Sequence, residues 1–287
     1  MTAPLPGRVP GHLFLVSTPI GNLGDFSFRA VEVLRSVDVV LAEDTRHTRR
    51  LMERYDVGTA LLPYHEHNEA RTTPRLVERL LNGESFALVS DAGTPLVSDP
   101  GKYLVDAALT AGIRVVPIPG ANAGLAALVA SGMDVGTFTF LGFLPRSGRA
   151  RGAALDALAE LPHTGILYEA ANRVADALED LEAHGCADRQ IVVARELTKQ
   201  FEEFRRGTVA ELRAYYEGTP PRGEVVIVLG AAPAQTPSDE RVRARVRALR
   251  EGGASARDAA ATAARECGVS RRVAYQMAQD ADRGSAT

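Results

Sequence analysis

The residues best suited to chemistry form a short polar run at 43–48, Glu-Asp-Thr-Arg-His-Thr. Its two carboxylates can accept a proton, and its arginine can clamp a phosphate or a sugar hydroxyl. The run follows an apolar stretch at 37–42, which predicts a strand that ends where the acids begin. The same residues also suit a helix N-terminus, with Asp44 or Thr45 as the cap of a surface helix that reaches Tyr55. Placement beside the glycine loops described next favours the chemical interpretation.

A central unit at 86–124 supplies the loops that could hold a ligand. Apolar runs at 86–89 and 113–118 predict two strands, and apolar residues at helical spacing predict a helix between them. Each strand ends in a loop rich in Gly, Pro, Asp or Ser, at 90–101 and 119–122. Parallel strands end at one edge of their sheet, where open α/β sheets bind ligands. Glycines allow the backbone to approach a ligand there, and its N–H groups donate hydrogen bonds.

Two common nucleotide motifs are missing from these loops. A Walker phosphate loop needs Gly-Lys-Ser/Thr with an upstream glycine, but Gly101 and Lys102 are followed by Tyr103 and the upstream position is Leu96. The segment at 19–24 has only two of the glycines that a dinucleotide fingerprint requires. The sequence therefore predicts neither a P-loop nor a classical NAD site.

Composition narrows the class of protein. A chain of 287 residues that is 45% hydrophobic can bury two modest cores. No apolar run reaches the roughly 18 residues of a membrane span. Residues 1–11 lack a signal pattern. We therefore expect a cytoplasmic protein without a membrane partner, and a formal charge of −3 confines any RNA contact to local basic patches.

Metal and disulfide chemistry are not expected. Cys186 and Cys267 are too few and too far apart for a disulfide framework or a cysteine-rich metal site. His65 and His67 flank a glutamate, but no further His or Cys cluster accompanies them. The sequence predicts no metal.

The elements predict an α/β fold with two α/β domains and a helical tail. We expect a flexible N-terminus at 1–11, an N-terminal α/β domain at 12–132, a C-terminal α/β domain at 137–232 and a helical segment at 239–283. The predicted strands lie at 13–17, 37–42, 60–64, 86–89, 113–118, 137–143, 165–168, 190–194 and 225–230. Thr73 and Pro74 predict the start of a helix, as cap and first-turn proline. Phe28, Val31 and Leu34 predict the buried face of an earlier helix.

The tail has the pattern of three short helices, at 239–251, 255–267 and 270–281. The turn at 268–270 resembles a helix-turn-helix. Arginines could bind phosphates here, namely Arg241, Arg243, Arg245, Arg247, Arg250, Arg271 and Arg272. A solvated helix that pairs with its own acids would have the same composition.

Lysine is rare in this chain, which uses arginine almost everywhere. Only Lys102 and Lys199 are lysines. A lysine at 199 can reflect a need for a compact, titratable ammonium, or it can be a chance retention.

Six segments, in this order, resemble one known family. They are VSTPIGNLGD, AEDTRHT, SDAGTPLVSDPG, PIPGANA, EAANR and RELTK. Together they resemble the ribose 2′-O-methyltransferases of small-subunit ribosomal RNA, a branch of the tetrapyrrole methylase superfamily. The match runs from about residue 13 to the C-terminus. The central loop reads Gly93-Thr94-Pro95, where cobalt-tetrapyrrole relatives carry Gly-Asp-Pro, and this difference favours the RNA branch.

The resemblance implies a two-domain fold with S-adenosylmethionine in the cleft between the domains, and a homodimer. It also implies methylation of a cytidine 2′-oxygen in small-subunit ribosomal RNA, as free RNA or in the assembled subunit. By position, the implied cofactor-binding residues are Pro19, Gly21, Asp91, Gly93, Thr94, Pro95, Val97, Asn122, Ala123, Tyr168 and Leu197. The candidate catalytic residues are Asp44 or Glu43 as base or base-orienting group, Arg46 as clamp and Lys199 as assistant.

Two other functions fit parts of the pattern. A tetrapyrrole C-methyltransferase would carry Gly-Asp-Pro in its central loop and would lack an arginine-rich tail. A non-catalytic RNA-binding or ribosome-assembly module would keep the fold without any need for the cofactor.

Overall fold

The computed structural model describes residues 9–219, 221–233 and 239–284, with side chains as far as 279. The described residues up to Ala231 form one compact unit, and the rest form a second. Within these ranges no helix has both the length and the apolar character needed to cross a membrane. The predicted flexible N-terminus lies largely outside the described residues.

A five-stranded parallel sheet forms the first half of the larger unit. Its strands are β1 (His12–Val16), β2 (Val39–Ala42), β3 (Ala60–Pro63), β4 (Phe86–Val89) and β5 (Arg114–Ile118). The spatial order is β3-β2-β4-β1-β5, and every neighbouring pair is parallel. The loops after β1, β2, β4 and β5 therefore leave the same edge side by side.

Helices cover both faces of this sheet. They are α1 (Phe28–Ser36), α2 (Thr45–Arg54), α3 (Glu69–Leu81), α4 (Lys102–Thr110) and α5 (Ala123–Ser131). Apolar residues of α1 and α2 pack in one cluster with the sheet, and those of α3 and α4 pack in another. A strand buried on both sides needs apolar residues at successive positions, which explains the all-apolar sequences of β2 and β4.

The second sheet is mostly antiparallel. It contains β6 (Phe138–Phe143), β7 (Thr164–Ala170), β8 (Gln190–Arg195), β9 (Glu203–Thr208) and β10 (Glu224–Leu229) in the order β6-β7-β10-β8-β9. Only β6 and β7 are parallel to each other. The outer face carries α6 (Gly148–Ala159), α7 (Val174–Leu181) and α8 (Val209–Glu217).

Alternation along these strands divides the second sheet into two faces. Ile166 and Val226 pack with α5 of the first half, whereas Leu167 and Ile227 pack with the outer helices. Successive side chains of a strand point to opposite faces, so one helix layer is shared between the two sheets. Although both sheets belong to one compact unit, their separation into domains at 12–132 and 137–232 stays a prediction.

Three sequence-based expectations were wrong. Helix α3 begins at Glu69, not at Thr73, and Pro74 lies inside it. Thr73 is not a cap, because its hydroxyl pairs with the buried Tyr64 hydroxyl at 2.8 Å. Phe28 is 91% exposed, since it is the first residue of α1 and only Val31 and Leu34 reach the core.

The third error concerns β9, which the sequence analysis missed. Its sequence, EFRRGT, has no apolar alternation, but all six residues pair with β8. Edge strands are commonly polar and charged because this discourages pairing with other chains. Pairing with the neighbouring strand β8 therefore defines β9, whose own sequence has little of the apolar alternation that predicts a strand.

The tail forms the second unit, with α9 (Asp239–Glu251), α10 (Ala256–Cys267) and α11 (Arg271–Gly284). Small apolar side chains, Ala260, Ala263, Ala274 and Ala278 among them, pack with Val242 to form its core. The predicted helices are confirmed, and the Ser270 hydroxyl accepts from the Val273 N–H at 3.3 Å. Residues 234–238, which precede α9, lie outside the described residues.

Candidate functional site

The loops after β1 and β4 are bonded to each other beyond the end of the sheet. The Thr18 N–H donates to the Gly93 carbonyl at 2.8 Å, and the Gly93 N–H donates to the Thr18 carbonyl at 3.1 Å. The Thr18 hydroxyl donates to the Ser90 carbonyl, and the Ser90 hydroxyl to the Gly93 carbonyl. Two loops that the sequence only placed side by side therefore form one rigid surface.

The loop after β5 joins this surface through Thr94. Its hydroxyl donates to the Ala121 carbonyl at 3.1 Å, and the Asn122 amide donates to that hydroxyl at 3.3 Å. Asn122 also caps α5, since its side-chain oxygen accepts from the Leu125 N–H at 3.0 Å. Asn122 thus fixes loop positions, and its role as a direct cofactor ligand stays a prediction.

The central loop is strained. Gly93 has a φ of +84°, and Leu96 and Ser98 also lie in the left-handed region with φ of +70° and +69°. Such conformations are unfavourable for residues other than glycine, and they concentrate at ligand-binding sites. A Cβ on Gly93 would lie 3.3 Å from Ile20 Cγ2, so its absence keeps the loop surface open.

A cavity of about 480 Å³ lies against these loops, and we call it the main cavity. The first half contributes loop residues and the second sheet contributes an apolar wall that includes Val225 and Val226. Seven predicted cofactor-binding residues line it: Asp91, Gly93, Thr94, Val97, Ala123, Tyr168 and Leu197. Pro19 and Gly21 line an adjoining cavity, and Pro95 and Asn122 line neither.

Tyr168 connects the two walls of the main cavity. Its hydroxyl accepts from the Gly124 N–H in the first turn of α5 at 3.2 Å. Its ring packs edge-on against Phe140 and Phe143, with ring centres 4.9 and 5.7 Å away. Burial raises the pKa of the Tyr168 hydroxyl, so the ring acts as a neutral, fixed surface at neutral pH.

Three carboxylates gather at the sheet edge, at Glu43, Asp91 and Asp99. Burial, together with the charges of Glu43 and Asp91, raises the pKa of Asp99 to about 6. Burial and the charge of Asp91 also raise the pKa of Glu43, which the neighbouring His65 partly opposes. Crowded, desolvated carboxylates are strong proton acceptors once ionised, and they attract a cation.

Asp44 has a different role in the structure. Its side chain caps α2 and accepts from the Arg46 N–H at 2.8 Å. The Arg46 guanidinium also donates to it, at 3.2 and 3.1 Å. Hydrogen bonds from Arg46 lower the pKa of Asp44 to about 2. The capping interpretation of this run is therefore confirmed, and the chemical interpretation stays a prediction.

The backbone of Asp44 is linked to the acidic group. Its N–H donates to Asp91 Oδ1 at 3.1 Å, which ties the end of β2 to the end of β4. Asp91 lines both cavities, so this bond holds the start of α2 close to the ligand-binding edge.

Lys199 lies between the two halves as a paired cation. Its ammonium donates to Glu196 at 3.0 Å and to Glu224 at 2.9 Å. Burial acts to lower the pKa of Lys199, but these two hydrogen bonds outweigh it and raise the pKa above the ordinary value. A Cβ on Gly21 would lie 2.5 Å from Lys199 Cγ, so glycine leaves room for this side chain.

The adjoining cavity, of about 310 Å³, is called the side cavity here. It is lined by Pro19 and Gly21 of the first loop, His47 and Arg50 of α2, and Lys199. Ile20, Asp91, Ala92 and Glu224 line both cavities, so the two spaces meet at these residues.

Sequence reasoning missed Asp99, Glu224 and Glu196. A signal for Asp99 existed, because Ser-Asp occurs twice in the central loop, at 90–91 and 98–99. Glu196 lies three residues before Lys199 in the RELTK segment, whereas only folding brings Glu224 to Lys199. Glu169 lines the main cavity at a strand end, but its side chain is buried and pairs with Arg173 at 3.5 Å.

Within the part of the chain that is described, no three His, Cys, Asp or Glu side chains are arranged to hold a metal. The His65 and His67 rings are 5.9 Å apart, edge to face.

Comparison with known proteins agrees with this geometry. Residues 12–213 match the family model described as Tetrapyrrole (Corrin/Porphyrin) Methylases. A protein of Synechocystis sp. named Ribosomal RNA small subunit methyltransferase I is 45% identical over 93% of this chain and 97% of its own length. One of the same name from Xylella fastidiosa is 47% identical over 93% and 98%.

Solved structures share the fold at lower identity. Uroporphyrin-III C-methyltransferase from Thermus thermophilus, complexed with S-adenyl homocysteine, superposes with a TM-score of 0.55 at 19% identity, over 77% of this chain and 97% of its own. The methyltransferase CobJ gives a TM-score of 0.60 at 19% identity, over 77% and 95%. The chain therefore belongs to the tetrapyrrole methylase family, and within it to the branch named ribosomal RNA small subunit methyltransferase I.

Proposed function

We propose that this chain transfers a methyl group from S-adenosylmethionine to the ribose 2′-oxygen of a cytidine in small-subunit ribosomal RNA. The observation that carries the proposal is identity of 45% and 47%, over 93% of this chain, to proteins named for methylation of that RNA. The main cavity gives the proposal a physical site.

The residues of the main cavity fit the cofactor. A flat adenine needs apolar surface, and Leu197, Val225 and Val226 provide it. The cofactor carries a positive sulfonium, and Asp91 and Asp99 line the same space. Opposite charges at short range in a partly dry site attract strongly, so these carboxylates favour the charged cofactor over its neutral product.

S-adenosylmethionine supplies an already activated methyl group when bound. The protein has to align the ribose oxygen with that methyl group and to accept the hydroxyl proton. Asp99 is the proton acceptor in our proposal, because its pKa of about 6 leaves it ionised yet basic at neutral pH. Burial, together with the charges of Glu43 and Asp91, maintains the raised pKa of Asp99.

The remaining candidates have supporting roles. Asp44 positions α2 as its cap, and Arg46 holds Asp44, although Arg46 is exposed enough to contact RNA as well. Lys199 stays protonated and links the two halves, so it orients groups and does not accept a proton. Pro19 and Gly21 shape the first loop beside it.

Two further parts of the proposal concern RNA contact by the tail and the oligomeric state. The tail arginines are proposed to contact RNA, although Arg245 is paired with Glu266 at 2.6 Å. A homodimer is proposed from the family resemblance, and the exposed side chains of Phe28 and Val129, 91% and 74% exposed, are apolar surface available for it. Light scattering on the purified protein tests the dimer, which a monomer at micromolar concentration would contradict.

The function is tested by mapping ribose methyl groups on small-subunit ribosomal RNA by mass spectrometry, from cells with and without this chain. We expect one cytidine to lose its 2′-O-methyl group and purified protein with S-adenosylmethionine to restore it. Methylation of a precorrin in place of RNA would favour a tetrapyrrole C-methyltransferase. Failure to bind the cofactor in calorimetry would favour a non-catalytic RNA-binding module.

The proton acceptor is tested by comparing Asp99→Asn with Asp44→Ala at several pH values. In the wild type, single-turnover methylation should rise about tenfold per pH unit below pH 6 and then level off. Asp99→Asn should lower the plateau at least about tenfold and abolish the rise. If Asp44→Ala abolished methylation while Asp99→Asn kept the wild-type profile, Asp44 would be the base.

A further inference from the structure

The side cavity has a charge pattern that the main cavity lacks. Three basic side chains line it, His47 and Arg50 from α2 and Lys199 from the segment after β8. Lys199 is neutralised by Glu196 and Glu224. Arg50 is exposed, and among the described residues it has neither a hydrogen bond nor an ion pair through its side chain.

The geometry of α2 distinguishes Arg50 from the neighbouring arginines by placing it at the side cavity. His47, Arg50 and Leu51 are spaced i, i+3 and i+4, so they share one helix face, and all three line the side cavity. Arg46 is bound to Asp44, and Arg49 does not line the cavity. One unpaired guanidinium is thus directed to this space while adjacent arginines are engaged or point elsewhere.

Because the two cavities meet, the molecule that accepts the methyl group determines which chemical groups lie near the side cavity. Asp91 and Ile20 line both spaces, so the side cavity adjoins the part of the main cavity beside these two residues. It therefore offers room for the rest of an acceptor molecule whose reacting group lies in the main cavity. For a ribose in an RNA chain, the nearest charged groups are its own flanking phosphates.

We infer that the side cavity is the subsite for a phosphate next to the target ribose, with Arg50 as its ligand. A guanidinium offers two parallel N–H donors that match two phosphate oxygens, and an unpaired one loses no ion pair when the phosphate arrives. His47 adds a third donor on the same helix face. The inference rests on the proposed function, because it assumes RNA as the methyl acceptor.

The test compares Arg50→Gln with Arg49→Gln, which removes the same charge from the same helix outside the cavity. The substrate is the small ribosomal subunit from cells that lack this chain. Arg50→Gln should raise the KM for the subunit about 5- to 20-fold, whereas Arg49→Gln should change it less than about twofold. Affinity for S-adenosylmethionine, measured by calorimetry, should stay within about twofold in both.

Salt dependence separates a phosphate contact from a structural effect. The slope of log affinity against log salt should fall by about one for Arg50→Gln, and Arg50→Lys should restore it because the charge returns. Equal behaviour of Arg50→Gln and Arg49→Gln would overturn the inference, as would a loss of cofactor affinity. Wild-type protein that binds the subunit without methylating it would refute the proposed function, while the salt slopes still decide the role of Arg50.

Discussion

The two sheets contribute to the site in opposite ways. The parallel sheet contributes loops at its carboxyl edge, where Asp91, Gly93 and Asp99 combine charge with strained backbone. The antiparallel sheet contributes strand residues such as Val225 and Val226, which are fixed by ladder hydrogen bonds on both sides. The comparison indicates that the charged groups of the main cavity are placed on loops that can take special conformations, whereas its apolar wall is placed on rigid strands.

The largest effect should come from the loop side, at Asp91. Asp91→Ala removes the carboxylate that accepts the hydrogen bond from the Asp44 N–H. The same carboxylate lines both the main cavity and the side cavity. We expect methylation to fall about 100-fold or more, since positioning and charge are lost together. Single-turnover assays measure this, with Asp106→Ala as a surface carboxylate control. A loss below about threefold would contradict the importance of the parallel-sheet edge.

Removing a wall residue on the strand side should cost less. Tyr168→Ala deletes buried ring surface and the bond to Gly124, and we expect cofactor affinity to fall about tenfold. Tyr168→Phe keeps the ring and should lower affinity only about two- to threefold. Calorimetry with S-adenosylmethionine gives both values, and equal losses for the two variants would assign the effect to the hydroxyl alone.

The pH dependence of cofactor binding should separate the contribution of the charged loop residues from that of the apolar wall of the main cavity. Asp99 is ionised above its pKa of about 6, so a cationic ligand should bind more weakly as pH falls from 7 to 5. We expect the affinity ratio of S-adenosylmethionine to S-adenosylhomocysteine to fall a few-fold over this range. In Asp99→Asn the affinity ratio should be constant over this range. The same fall of the ratio in this variant would exclude Asp99 as the cause of the pH dependence.

The smallest effect concerns stability. A raised pKa means that the folded state holds the Asp99 proton more tightly than the unfolded state does. Stability from this group is therefore present below about pH 4 and is lost as pH rises through about 6. Asp99→Asn should increase the free energy of unfolding by about 1 kcal/mol at pH 8, allowing for solvent screening, and by little at pH 4. Urea unfolding at both pH values measures the difference. A lower free energy of unfolding for Asp99→Asn at pH 8 would contradict the expectation that the ionised Asp99 carboxylate destabilises the fold.

Those features of the fold that depend on local pattern could be predicted. The strands of the parallel sheet, the loops that follow them and the three tail helices were all evident, because apolar periodicity and turn residues act over a few positions. Seven of the eleven cofactor-binding residues that the family resemblance implied line the main cavity; Tyr168 lies in β7, and the others lie in loops or at a helix start that follow strands. Their direct contact with the cofactor stays a prediction.

Other features depended on partners distant in the chain. The Asn22 N–H donates to the Thr198 hydroxyl at 3.0 Å across 176 positions, and Asp44 reaches Asp91 across 47. Strand β9 exists through its pairing with β8, and the raised pKa of Asp99 depends on its burial and on the charges of Glu43 and Asp91. The sequence by itself determined most of the strands, turns and helices, because these preferences are local. Only the tertiary structure decided which charges neutralise each other and which, like Arg50 among the described residues, have no hydrogen bond or ion pair, because burial and proximity follow from packing.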